Sequence, residues 1–208
     1  MYRIEYDCKR PPADADSAAY LLKFRARLHA CAEWAPRRQG VTSTPCGSAD
    51  LTLVDLPGML AAAACPAGLA EATELDWLRD WLLERPGVLS AAARAAGIRD
   101  TGKLLVVRCL RIAPERRGKG LGRELLRRAV ATLLPQSGSV LLVADSLLHS
   151  WKDPERIPAT QRLAAYYATL GFVPLASSGQ GAPVETGKIP MVWIPQGACE
   201  ESAQASAA

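Results

Sequence analysis

Hydrophobic and polar positions change period several times along this chain. Alternation over Tyr2 to Tyr6 reads as a short strand. From Ser17 to Trp34, Leu21, Phe24, Leu28 and Cys31 recur at three and four, which predicts a helix with arginines on its other faces. The stretch from Ala35 to Asp50, rich in Pro, Gly, Ser and Thr, has no period and reads as a surface loop, followed by a short strand over Leu51 to Leu56. Thr73 and Asp76 resemble a capping box for a helix whose Leu75, Leu78 and Leu82 form one stripe until Pro86-Gly87. An Ala-rich helix is expected over Val88 to Ala96.

The second half reads more clearly. Leu104 to Leu110 is an apolar run of strand length bounded by Thr101-Gly102, so a buried strand is expected there. After a glycine-rich turn, Leu125-Leu126, Ala129-Val130 and Leu133-Leu134 repeat every four residues until Pro135, and Val140 to Ala144 supplies the next strand. Strand, helix and strand in that order predict a right-handed βαβ crossover, with the turn at the carboxyl end of the first strand, where ligands bind. Leu163, Tyr166, Tyr167 and Leu170 mark a short helix beginning near Thr160, whose hydroxyl is placed to cap it, and ending at Gly171. Phe172 to Ala176 and Ile189 to Ile194 read as the last strands, with Pro174 and Pro190 at strand starts, bulges or an edge. No internal repeat is evident.

At 208 residues, 49% hydrophobic and 22% charged, the chain has the balance of a soluble globular protein. One domain is expected over 1–195, and the small, polar tail 196–208 is expected to be disordered. Met1 to Asp16 lacks an apolar signal core, and Met59 to Cys65 is too short to span a bilayer, so a cytoplasmic protein without a membrane partner is expected. Six scattered cysteines without a C-x-x-C pair and only two histidines argue against a metal site. The net charge of +4 is unevenly placed: Arg108 to Arg128 holds eight Lys and Arg against Glu115 and Glu124, so the remainder sums to −2. A local polyanion is implied.

The chemistry concentrates in Ile112 to Gly122, between the buried strand and the amphipathic helix. Gly118, Gly120 and Gly122 let backbone approach a ligand closely, the amides and the helix N-terminus suit phosphate oxygens, and Arg116, Arg117 and Lys119 add charge. A Walker loop requires Ser or Thr after Gly-Lys, and here Gly120 follows Lys119. A dinucleotide fingerprint requires G-x-G-x-x-G, and this turn is G-x-G-x-G.

Arg117-Gly118-Lys119-Gly120-Leu121-Gly122 resembles the R/Q-x-x-G-x-G/A motif of the GNAT acetyltransferases. Tyr167-Ala168-Thr169-Leu170-Gly171-Phe172 is similar to that family's Y-x-x-x-G-F segment, and Met191-Val192-Trp193 to its closing strand. The resemblance, over roughly 104–194, implies an α/β (α+β) fold. Its mixed, mostly antiparallel central sheet would be splayed at the cofactor site, with helices on both faces. It also implies acceptor-side helices in 1–100 and an acetyl-coenzyme A binding core in 101–195. The expected reaction is acetyl transfer from acetyl-CoA to an amine by direct attack through a tetrahedral intermediate.

By the same resemblance, the amides of Arg117, Gly118, Lys119, Gly120, Leu121 and Gly122 would hold the diphosphate, and the backbone of Leu110, Ile112 and Ala113 the pantetheine arm. Thr160 is counted with the cofactor residues. Ile112 N–H would donate to the oxyanion and Tyr167 would protonate the leaving thiolate, with Tyr166 in reserve. The strand 104–110 carries no acid to serve as base. Asp145 is the best-placed carboxylate, with Glu115, His149 and bound water as alternatives, while Cys109 would permit a ping-pong route.

The acceptor is expected to be a small-molecule or peptide amine. Trp77, Trp81, Trp151 and the insertion 146–159 are candidates for its wall, and a homodimer is compatible with the reading. The strand pair expected before the cofactor strand is not located. A non-catalytic acyl-CoA-binding module of the same fold is the alternative. A nucleic-acid binder is disfavoured because the basic segment lacks interleaved aromatics.

Overall fold

In a computed structural model, the described residues are 2–9, 20–30, 45–61, 81–134, 138–145, 153–175 and 188–194. Expectations for Trp77, His149, Trp151, the capping box at Thr73 and the tail 196–208 lie outside them. Seven strands form one sheet: β1 (Tyr2–Lys9), β2 (Leu21–Ala30), β3 (Gly47–Asp55), β6 (Lys103–Ile112), β7 (Gly138–Ala144), β9 (Ile189–Trp193) and β8 (Val173–Pro174), in that spatial order. All neighbours are antiparallel except β6 and β7. A hairpin, β4 (Leu83–Arg85) and β5 (Val88–Leu89), stands apart. The architecture is mixed α+β with a mostly antiparallel seven-stranded sheet, as the motifs implied.

Helices cover both faces. On one, α3 (Leu121–Leu133) and α4 (Arg156–Ala168) pack on inward residues such as Leu28, Leu51, Leu105 and Leu142. On the other, α1 (Leu56–Ala61) and α2 (Ala91–Ala95) belong to a cluster with Leu21, Val54, Leu104 and Leu141. The buried stripe Leu121, Leu125, Leu126, Ala129 and Val130 fixes α3 over the sheet. Among the described residues, no helix is long and apolar enough to cross a membrane.

Two expectations for the first half are corrected. The segment read as a helix over 17–34 contains strand β2, in which Leu22, Phe24, Ala26 and Leu28 pack into the α3 core while Arg25 and Arg27 lie among the acids of neighbouring strands. Strand β3 begins at Gly47, inside the stretch read as loop. The strand pair that sequence reading did not assemble is β2 with β3: the strands read over Tyr2 to Tyr6 and Leu51 to Leu56 fall on β1 and β3, and β2 stands where a helix was expected. Likewise, Val88-Leu89 is strand, and the helix that follows starts only after Ser90, whose hydroxyl accepts from Ala93 N–H.

The late elements keep their predicted order with shifted bounds. Helix α4 starts at Arg156, so Thr160 is an interior residue and not its cap. Gly171, at φ +95°, lies in the turn that closes it. Pro174 stands on the edge strand and Pro190 at the second residue of β9, where a missing ladder donor is tolerated.

Candidate active site

The sheet opens between its two parallel strands. Pairing of β6 with β7 covers Lys103 to Val107 against Gly138 to Leu142 and goes no further, although β6 continues to Ile112. On its other side β6 stays paired with β3 through a bulge, since Asp50 faces Cys109 and Leu51 faces Val107, leaving Arg108 as the extra residue. Ala113 N–H donates to Cys46 O at 3.0 Å. Antiparallel alternation then turns the amides of Ile112 and Leu110 away from β3 and into the gap. Gly47 permits this close pairing, because a Cβ there would stand 2.6 Å from Ile112 Cδ1 and 3.1 Å from Arg111 O.

Beyond Ile112 the chain makes a single 3₁₀ turn, Pro114–Arg116, which Pro114 opens with its fixed φ and missing donor. Arg117 folds back so that its Nε donates to Ile112 O at 3.2 Å, bracing the turn against the strand it leaves. Gly118 and Gly120 adopt φ of +73° and +72°, which a side chain resists. A Cβ at either would meet nothing within 4 Å. Gly120 is the N-cap of α3 and carries no side chain to occupy the first-turn amides, which are left open to an anion.

This turn, the free end of β6, the end of β7 and one side of α4 enclose a cleft of about 1180 Å³. Of the expected site residues, Leu110, Ile112, Ala113, Arg117, Gly118, Gly120, Leu121, Gly122, Asp145 and Tyr167 line it. Lys119 lies in the turn, exposed, without facing the cleft. Thr160 is corrected: it is 1% exposed, on the core side of α4 with Ala164, and off the cleft wall. Glu115 is exposed in the 3₁₀ turn and also off the wall. Trp81 packs against the core on the opposite face of the sheet, so it is no part of this wall.

The adjacent tyrosines divide. Tyr167 is 7% exposed, stacked edge-on to Phe172 with ring centres 5.8 Å apart, and burial pushes its phenol up to about 12, with smaller contributions from Tyr166 and Cys109. Tyr166 is 38% exposed and sends its hydroxyl to the glycine turn, 3.4 Å from where a Cβ at Gly122 would lie. At the end of β7, Asp145 Oδ1 accepts from Arg156 Nη2 at 2.8 Å, and Lys188 Nζ stands 3.9 Å from Oδ2. The acid and Arg156 are 11% and 13% exposed in their side chains. Sequence reading missed Arg156, Lys188 and Arg108, because each reaches the site through long-range pairing that no local pattern carries.

Residues 61–152 match the family described as Acetyltransferase (GNAT) family. No curated protein matches the sequence. Among solved structures, Arabidopsis thaliana NAA60 in complex with a bisubstrate analogue is 14% identical with a TM-score of 0.39, covering 86% of this chain and 77% of its own. The Bacillus subtilis N-acetyltransferase YlbP in complex with coenzyme A is 9% identical with a TM-score of 0.41, covering 82% and 67%. The family match covers 92 of the 208 residues, and over that stretch the chain is similar to the GNAT acetyltransferases.

Proposed function

We propose that this protein is an N-acetyltransferase that moves an acetyl group from acetyl-coenzyme A to an amine by direct attack. The observation that carries the reading is the meeting, in one cleft, of a split parallel strand pair with two left-handed glycines at an uncapped helix N-terminus. The glycine turn fits a diphosphate on physical grounds: open space stands where side chains would be, and donors are fixed before the ligand arrives.

The thioester, when bound, supplies an activated acetyl group. The amides of Leu110 and Ile112 are the donors offered to the pantetheine arm and to the carbonyl oxygen as it gains charge. Tyr167 is the acid for the departing sulfur, since its raised pKa keeps the phenol protonated throughout the neutral range. Asp145 takes the amine proton through water at Oδ2, the oxygen that Arg156 does not hold and that stands 3.9 Å from Lys188 Nζ. The turnover scheme needs no covalent enzyme intermediate at Cys109.

Coenzyme A titration followed by thiol release over a panel of amines tests the reading. Micromolar binding and amine-dependent release are expected. Binding without release for any amine would leave a non-catalytic acyl-CoA module, and no binding would remove both.

A further inference from the structure

Among the described residues seven cations line the cleft, in separate groups: Arg162 stands 3.8 Å from Glu155, Lys188 3.9 Å from Asp145, and Arg111 lies beside Ile112 at the end of β6. Arg116, Arg117 and Arg123 surround the glycine turn, where a diphosphate would neutralise them. Arg108 lies elsewhere, at the apex of the split. It is the residue that β3 skips, and it directly follows Val107, the last residue of β6 paired with β7. Arg108 is an exposed residue and one of those that line the cleft. Among the described residues no carboxylate pairs with Arg108, whereas Arg25, Arg27 and Arg156 each have an acid partner. Asp145 is the one acidic residue among those described as lining the cleft, and it is already shared by Arg156 and Lys188.

An amine that reaches the apex therefore meets an unneutralised guanidinium. A second positive charge on the acceptor would be repelled there. A carboxylate close to the amine would be held by paired, charge-assisted hydrogen bonds, for which the planar guanidinium is suited. We infer that the acceptor is a small amino carboxylate, its acid group bound by Arg108 and its amine turned toward the thioester. The inference rests on the acetyl-transfer reading and adds the substrate class to it.

The test uses the full chain, acetyl-CoA and amines in matched pairs, each free amino acid beside its own carboxamide, with a polyamine as the cationic comparison. For the best acceptor, kcat/KM is expected to be at least about tenfold higher for the acid than for the amide. Arg108→Gln should abolish most of that ratio, mainly through KM, with coenzyme A affinity unchanged, and Arg108→Lys should restore part of it. Amides that match or exceed their acids, a preference for the polyamine, or an unaltered ratio in Arg108→Gln each overturn the inference. If coenzyme A itself fails to bind, the acetyl-transfer reading falls and this inference with it. Binding with no preference for carboxylates sinks only the substrate class.

Discussion

The hydroxyl of Tyr166 stands 3.4 Å from the place a methyl group at Gly122 would occupy, so α4 touches the first turn of α3 across the mouth of the cleft. The contact is ordinary van der Waals distance. The glycines at 120 and 122 are therefore under different constraints, one from backbone conformation and the other from the nearness of a phenol.

Gly120→Ala forces a side chain into a left-handed conformation at φ +72°, which costs roughly 1–2 kcal/mol, and it also puts a methyl into the open space of the turn. Gly122→Ala keeps helical geometry and should change stability by no more than about 1 kcal/mol. Denaturant midpoints with coenzyme A titrations check both. The first variant is expected to lose stability and affinity together, and equal behaviour of the two would contradict the conformational argument.

Tyr167→Phe is expected to lower turnover by about 100-fold, the usual reach of a positioned acid, while coenzyme A affinity stays near that of the parent. The same substitution has a pH signature. Burial raises the folded phenol to about 12 from its ordinary value near 10. The proton held more tightly by the folded chain stabilises it fully below about pH 10, and on the order of 2–3 kcal/mol is lost as pH rises toward 12. Stability measured across that window should fall less steeply in the phenylalanine variant.

Asp145→Asn leaves the shielded Arg156 guanidinium without its carboxylate and should cost on the order of 3 kcal/mol. Lys188→Met should cost clearly less, because Lys188 stands 3.9 Å away and its side chain is 29% exposed. Urea unfolding of the pair reads the difference, and a larger loss from Lys188→Met would assign the anchor wrongly. Turnover should also drop in Asp145→Asn, through loss of the proton acceptor.

Leu125 is fully enclosed between α3 and the sheet, and Leu125→Ala should destabilise the fold by about 2–5 kcal/mol. Calorimetry in the presence of coenzyme A is expected to recover part of the loss, since ligand binding favours the native state.

The half of the fold that could be read in advance is the half whose signals are local. The four-residue repeat of α3, the apolar runs of β6 and β7 and the glycines between them need only neighbours in sequence to be interpreted. The misreading of β2 came from choosing between two periods carried by the same residues. Leu21, Phe24 and Leu28 satisfy a helical spacing, yet Leu22, Phe24, Ala26 and Leu28 also alternate strictly with Lys23, Arg25, Arg27 and His29. Pairing on both sides, with β1 and β3, decided for the strand. The bulge at Arg108 was illegible because a skipped residue exists only relative to a partner strand. Asp145 was visible at the end of β7, but its bond to Arg156 depends on how the chain returns into α4.

Among the described residues, the strand pairing that joins the β1-β2-β3-β6 half of the sheet to the β7-β9-β8 half covers five residue pairs, Lys103 to Val107 against Gly138 to Leu142. The sheet is thus two plates riveted along a short seam, with load concentrated where the seam ends. A guest that offers amide groups to both lips adds rungs above the last rivet. Occupancy then welds the plates into a single slab, and hydrogen exchange at Leu110 and Ile112 slows with it.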